Sequence, residues 1–285
     1  MKSAERKTIL KTLHNKIARG EPVIAGGAGW GIIAKMQEAA GIDLIMAYNT
    51  GPYRMDGNPS LIGHMPYGNC NEVTLDLLKK YTTAVQHTPV VAGVGAADPL
   101  LDIRTHLRLL KKYGASGVTN VPTVGGRTHG GLRGPVREEL ERSGFGFGKE
   151  MDMLKYCRTQ DVLTVAYAFE EEQIRRLVGE VGVDIIAPHV GGTAGGVTGF
   201  KSESIEEASE RIGEMFEIAI KENPEVIVLC HGGPLKDPLS VQRCLDLTGV
   251  HGFIGASTIE RIPVENSLFR IMSDFKNVKV PEGRM

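Results

Sequence analysis

Eight short apolar runs, separated by helical patterns along the whole chain, restrict this sequence to a parallel α/β architecture. They read PVIAG, IDLIMAY, PVVAGV, GVTNV, LTVAYAF, VDIIAPH, VIVLCH and HGFIGA, and begin near residues 22, 42, 88, 117, 163, 183, 226 and 250. Most lack the polar alternation of a half-exposed strand, as expected where both faces are covered. Between them apolar residues recur at helical spacing: Val73, Leu77, Tyr81 and Val85, then Ile103, Leu107 and Leu110, then Ile205, Ala208, Ile212, Phe216 and Ala219. Start signals agree. Asp98-Pro99 and Asp237-Pro238 each read as an N-cap followed by Pro at the first helical position, and Ser204 with Glu207 reads as a capping box. Strict alternation of strand and helix implies a parallel sheet, and eight units favour closure into a (β/α)8 TIM barrel. An open doubly wound sheet is the alternative, but no G-x-G-x-x-G fingerprint follows the first strand.

One barrel accounts for residues 1–285, with an extra N-terminal helix over residues 1–20 marked by the stripe Ile9, Leu13, Ile17. The charges spread through that helix exclude a signal peptide or a membrane span. Gly41-Ile-Asp-Leu-Ile45 and Gly182-Val-Asp-Ile-Ile186 echo one another, which is read as a shared helix-to-strand turn rather than a duplicated half-barrel. Two connections, residues 50–72 after strand 2 and 123–149 after strand 4, are too long for simple turns and leave the strand ends where barrel active sites lie. Net charge is −1 with no Lys/Arg cluster, so neither nucleic acid nor an acidic membrane is expected as partner. The four cysteines are scattered without a C-x-x-C pair, which fits a reducing, cytoplasmic setting.

The strand ends supply the candidate site. Strands 7 and 8 end in His231-Gly232-Gly233 and Gly255-Ala-Ser257-Thr258. Paired glycines let backbone amides approach an anion, a helix N-terminus adds aligned donors, and in barrels this is where phosphate is held. His189 and His231 end strands 6 and 7, so their rings can face one cavity as general acid and base. Glu170 ends strand 5 as a base or ligand, although the acids at 170–172 also suit a helix start. Gly26 and Gly27 follow strand 1, and Asn49 and Asn120 are strand-end amides able to orient a substrate. Arg54, Arg127, His129 and Arg133 lie in the long loops, with Arg127 and Arg133 the arginines expected to neutralise an anion when a loop closes. No strand-end lysine is present for a Schiff base, and Cys230 lies on the opposite strand face from His231, as a packing residue.

With Met65-Pro-Tyr-Gly-Asn69, Thr88-Pro-Val-Val-Ala-Gly93, Asn120-Val-Pro-Thr-Val124, Val228-Leu-Cys-His-Gly-Gly-Pro234 and Gly252-Phe-Ile-Gly-Ala-Ser-Thr-Ile-Glu-Arg261, the chain resembles the phosphoenolpyruvate hydrolase-like TIM-barrel family over nearly its whole length. That barrel also forms the C-terminal part of the plant Tm-1 virus-resistance protein. The resemblance implies a cytosolic homo-oligomeric enzyme acting on a small phosphorylated or carboxylated metabolite such as phosphoenolpyruvate. Mg2+ or another divalent metal is the cofactor implied, with no nucleotide. The family pattern carries an aspartate where this chain has Asn69, and paired strand-end carboxylates are absent, both of which count against a metal there. A metal-dependent carbon–carbon lyase or aldolase of a keto-acid is the second reading. A non-catalytic ligand-sensing barrel is the third.

Overall fold

The structure, a computed structural model, describes residues 4–126 and 135–281. Its strands are β1 (Val23–Gly27), β2 (Leu44–Ala47), β3 (Val90–Gly93), β4 (Ala115–Thr119), β5 (Leu163–Ala168), β6 (Ile185–Pro188), β7 (Ile227–Cys230) and β8 (Gly252–Gly255). They pair in sequence order, all parallel, and β8 closes on β1 with Val23 opposite Gly252 and Gly26 opposite Gly255. All eight apolar runs are strands, and the closed barrel excludes the open sheet.

The helices begin with α1 (Arg6–Ala18), α2 (Gly31–Ala39), α3 (Thr50–Met55), α4 (Cys70–Ala84), α5 (Ile103–Lys112) and α6 (Pro135–Arg142). They continue with α7 (Phe147–Thr159), α8 (Glu171–Arg175), α9 (Ile205–Glu222), α10 (Pro238–Thr248) and α11 (Arg261–Lys276). Caps chosen by chemistry hold two of the expected starts. Ser204 and Glu207 form the capping box of α9, and Asp237 caps α10 ahead of Pro238. Asp98 does not cap α5. That helix starts at Ile103 under Asp102, whereas Asp98 accepts the Leu100 amide and the side-chain amides of Asn69 and Asn71. The 50–72 connection is largely helical, holding α3, a 3-10 turn at Ser60–His64, and Asn69 as the N-cap of α4. Its length is the cost of building a small subassembly over the barrel mouth.

Strand periodicity divides the core in two. Inward positions of β1, β2, β5, β6 and β7 stack Val23, Ala25, Leu44, Met46, Leu163, Val165, Ile185, Ala187, Ile227 and Leu229 into the barrel interior, while the outward positions pack beneath the helices. Helix α1 closes the N-terminal end of the interior with Ile9 and Leu13, both buried in that same cluster. The echoed Gly-x-Asp turns explain how it is held. Asp43 accepts the Ile24 amide and the Lys16 ammonium, and Asp184 accepts the Thr164 amide and the Arg6 guanidinium. Each aspartate therefore ties a strand start to its neighbour and to α1, a shared local function that needs no duplication to account for it.

Because Leu13 is buried and lies far from the barrel mouth, Leu13→Ala should destabilise the fold by about 2–5 kcal/mol while leaving ligand binding at the mouth unchanged. Urea unfolding and a ligand titration check the two halves of this expectation. An unaltered unfolding midpoint would show that α1 is dispensable to the core.

Candidate active site at the barrel mouth

Following the inward period of β1, β2, β5, β6, β7 and β8 to the strand ends determines what faces the mouth: Gly27, Tyr48, Tyr167, His189, His231 and Ala256. A cavity there, of about 80 Å3, is lined by Tyr48, Thr50, Arg54, Thr123, Tyr167, Phe169, His189, His231 and Ser257 among others.

His189 and His231 face one another because they form a parallel bridge that extends β6 and β7 by one residue. Their ring centroids are 4.6 Å apart, with Phe169 stacked on His189 at 4.5 Å and Tyr167 edge-on to His231 at 4.9 Å. Backbone contacts assign opposite tautomers to the neutral rings. Nδ1 of His231 lies 2.7 Å from the Ile254 carbonyl, which only accepts, so Nδ1 carries the proton and Nε2 is basic. Nδ1 of His189 accepts the Gly191 amide at 3.0 Å, so its proton sits on Nε2. One ring is arranged to take a proton and the other to give one. The hydroxyls of Tyr48 and Tyr167 hydrogen-bond to each other at 2.5 Å, and burial raises both phenols, which stay protonated.

The only cation that this cavity buries among the described residues is Arg54, on α3. Its Nε donates to Glu260 Oε1 at 2.5 Å, and its Nη1 donates to Thr50 Oγ1 at 2.7 Å and Ser60 Oγ at 3.3 Å. Glu260 is fully buried, and its second oxygen accepts the Gly29 amide at 2.6 Å. Loops after β1, β2 and β8 thus converge on one ion pair. Two glycines make the approach possible: a Cβ on Gly51 would lie 2.8 Å from the Gly29 Cα. The remaining guanidinium nitrogen, Nη2, is buried and has no hydrogen-bond partner. A Cβ on Gly27 would sit 3.4 Å from it and from the Tyr48 Cδ2 and Ala256 Cα atoms, and Arg54, Tyr48 and Ala256 are all cavity-lining residues.

Behind this layer lies Glu150 of α7, fully buried and not foreseen from the sequence. It accepts from Asn120 Nδ2 at 2.7 Å, from Thr123 Oγ1 at 2.8 Å and from the Val124 amide at 2.7 Å. Burial outweighs those donors and pushes its carboxyl up to about 7. Asn120 in turn clamps Tyr167 by both its N–H and its carbonyl. Glu150 therefore acts on the cavity through Thr123 and Tyr167, as a positioning residue.

The remaining sequence candidates divide by strand parity and by bonding. Ser257 lines the cavity, but the Thr258 hydroxyl donates to the Leu235 carbonyl and faces away. Gly26 and Gly255 face outward, where a Cβ would strike Ile42 and Ile259 respectively. Gly232 and Gly233 adopt φ of +86° and +56°, folding the β7 loop across the end of β6. The Gly233 amide is spent on the Gly191 carbonyl, so this pair serves chain geometry before any anion. Asn49 donates to the Gly63 carbonyl and joins α3 to the 3-10 turn. Asn120 lies behind the cavity wall, as described. Glu170 pairs with Arg137 at 3.2 Å on the rim and does not line the cavity. Arg127, His129 and Arg133 lie outside the described residues.

The carboxylates nearest the mouth are all committed: Glu260 to Arg54, Glu150 to its three donors, Asp98 to Asn69 and Asn71. Among the described residues no group of three His, Cys, Asp or Glu side chains is placed to hold a metal ion. No such group marks a place for the expected Mg2+ among those residues, and Asn69 is spent as a helix cap. Among those residues, too, no helix is long and apolar enough to cross a membrane.

Since the folded state holds the Glu150 proton up to about pH 7 and an unfolded glutamate loses it near pH ~4.3, this group's stabilising contribution is present below the lower value. It is lost as pH rises through the upper one. Between pH 5 and 8 the unfolding free energy of wild type should fall relative to Glu150→Gln by on the order of 2–3 kcal/mol. Parallel stability profiles for the two proteins would remove Glu150 from this role.

Comparison with known proteins agrees with the barrel. Residues 8–278 match the family described as phosphoenolpyruvate hydrolase-like. Two proteins of Solanum lycopersicum, the ToMV resistance protein Tm-1(GCR237) and the ToMV susceptible protein tm-1(GCR26), are each 38% identical over 278 residues, or 97% of this chain. The chain spans only 36% of their length. Among solved structures it is similar to 2,3-dimethylmalate lyase, with TM-score 0.61 and 14% identity over 98% of this chain and 91% of that one. It is also similar to phosphonopyruvate hydrolase in complex with oxalate and Mg++, with TM-score 0.59 and 16% identity over 99% and 93%. At such identities these structures establish the fold. A family match running from residue 8 to residue 278, on a closed eight-stranded barrel, makes this chain a member of the phosphoenolpyruvate hydrolase-like family.

Proposed function

We propose that the barrel is a hydrolase or lyase acting on a small metabolite that bears a carboxylate, of the phosphoenolpyruvate or 2-oxo-acid class. The observation that carries this reading is the buried, unpartnered Nη2 of Arg54 at the cavity wall. A buried donor without an acceptor costs about 1–3 kcal/mol, and a ligand oxygen that accepts from it recovers that cost. Glu260 already cancels the arginine's charge, so what remains is one nitrogen with two N–H donors. A donor with its charge already balanced matches a carboxylate better than a dianionic phosphate.

With the carboxylate on Arg54, the rest of the substrate lies along Tyr48 and Tyr167 toward the histidine pair. Nε2 of His231 removes a proton from an attacking water or from a substrate hydroxyl, and the protonated Nε2 of His189 donates toward the oxygen that gains charge as the bond breaks. For phosphoenolpyruvate, water adds to phosphorus, the P–O bond breaks, and phosphate and enolpyruvate leave. In the lyase case the substrate hydroxyl proton goes to His231 as the adjacent C–C bond cleaves. Structural neighbours named as a phosphonopyruvate hydrolase and a 2,3-dimethylmalate lyase support both forms. No step is routed through a metal.

A panel of phosphoenolpyruvate, 2-oxo acids and substituted malates, assayed for product release with and without Mg2+, tests this. His231→Gln should lower kcat by about 10²–10⁴-fold with little change in ligand affinity. Gly27→Ala, whose methyl would meet Nη2 at contact distance, should weaken carboxylate binding by about 10-fold or more without loss of fold. Equal activity in wild type and His231→Gln, or ligand stabilisation with no turnover of any compound, would overturn the catalytic reading.

A further inference from the structure

The connection from β6 to α9, residues 190–204, has no helix or strand of its own. A stretch of that length without secondary structure is uncommon in a compact domain, and holding it in one shape costs conformational entropy. Yet Gly192, Thr193 and Phe200 line the cavity. Because β2 and β6 stand four strands apart in a closed barrel of eight, these residues face the Thr50 and Arg54 wall across the mouth. The base of the connection is tied to β7 and the turn after it. Val190 donates its amide to the His231 carbonyl, and Ala194 donates to that of Gly233. The tip, at residues 195–197, has no apolar anchor: Gly195 and Gly196 lack side chains and Val197 is 85% exposed.

Two residues at the start of α11 hold that tip. Arg261 Nη2 donates to the Gly195 carbonyl at 3.1 Å, and Glu265 Oε2 accepts the Val197 amide at 3.1 Å. Arg261 Nη1 also donates to Glu265 Oε1 at 2.5 Å, which joins the two into one clasp. Arg261 is buried, and a buried cation needs its countercharge beside it. Gly196, at φ +69°, makes the approach possible, since a Cβ there would overlap both Arg261 Nη1 and Glu265 Oε2. We infer that Arg261 and Glu265 are positioning residues, which hold the β6 connection in place as the second wall of the cavity. The inference shares its cavity with the proposed function and rests on that reading only for what the cavity binds. Glu260 and Arg261 are adjacent and of opposite sign, and they serve opposite walls: Glu260 fixes Arg54, and Arg261 fixes the β6 connection. The turn after β8 therefore sets the spacing of the two walls, and the part of the substrate beyond its carboxylate meets Thr193 and Phe200.

Three measurements on Glu265→Ala, Glu265→Gln and a Leu13→Ala control test this: hydrogen–deuterium exchange, labelling of His189 and His231 by diethyl pyrocarbonate, and titration with oxalate. Alanine removes both acceptor oxygens and glutamine keeps one. Exchange across residues 191–201 should rise by about 10-fold or more in Glu265→Ala and by less in Glu265→Gln, because the opening is local. Labelling of the two histidines and the Kd for oxalate should rise in the same order. Leu13→Ala loosens the far end of the barrel and should leave all three readings at wild-type values, which separates the clasp from a general loss of stability. Unchanged exchange in Glu265→Ala overturns the clasp. Faster exchange with unchanged histidine labelling overturns the connection's place as a cavity wall. If wild type binds no oxalate while exchange and labelling still respond, the carboxylate reading fails and the clasp and wall stand.

Discussion

The buried pair between Arg54 and Glu260 is the constraint on which the mouth of this barrel depends. Burying either charge alone would cost several kcal/mol, so the two must arrive together. Their meeting brings the β1, β2 and β8 loops to one point. Gly29 and Gly51 are needed there because any side chain would hold the loops apart, and Gly29 also lends its amide to Glu260. Thr50 and Ser60 fix the guanidinium plane from the other side. The result is a cation whose charge is balanced and whose orientation is fixed, with the two N–H groups of Nη2 left over. In the function we propose, those N–H groups, rather than a helix terminus or a glycine pair, receive the substrate carboxylate.

The histidines are positioned by a different rule. Parallel register places His189 beside His231, and the Gly191 amide and the Ile254 carbonyl decide which nitrogen of each ring holds a proton. Glu150 works one layer further back. By holding Asn120 and Thr123 it fixes the backbone of Tyr167, which stands between the ion pair and the histidines. A cavity built this way has its polar side chains restrained before a ligand enters.

Much of the fold was legible because it follows from local chemistry: buried strands read as apolar runs, and Ser204 and Asp237 cap helices wherever they occur. The family was legible in motifs at the strand ends. The site was legible only in part, and strand parity explains much of the gap. His189 and His231 lie on inward positions, whereas Gly26 and Gly255, chosen for their small size, lie on outward ones. Counting by two from Leu44 and from Leu163 reaches Tyr48 and Tyr167, and the same count that set Cys230 aside would have found them. Glu150 and Glu260 have no such signal. One lies inside a helix, the other in a turn more than two hundred residues from Arg54, and only tertiary folding reveals the partner. Asp98 misled because an Asp-Pro pair suits a turn as well as a helix start.

Arg54 as the anchor of a substrate carboxylate is the central claim, and a crystal structure with oxalate bound tests it most directly. The account places a carboxylate oxygen within hydrogen-bond distance of Arg54 Nη2, beside Gly27 and Ala256, with the Arg54–Glu260 pair intact. Oxalate bound instead at the Gly232-Gly233 turn or at Thr258, with Nη2 still unpartnered, would contradict it.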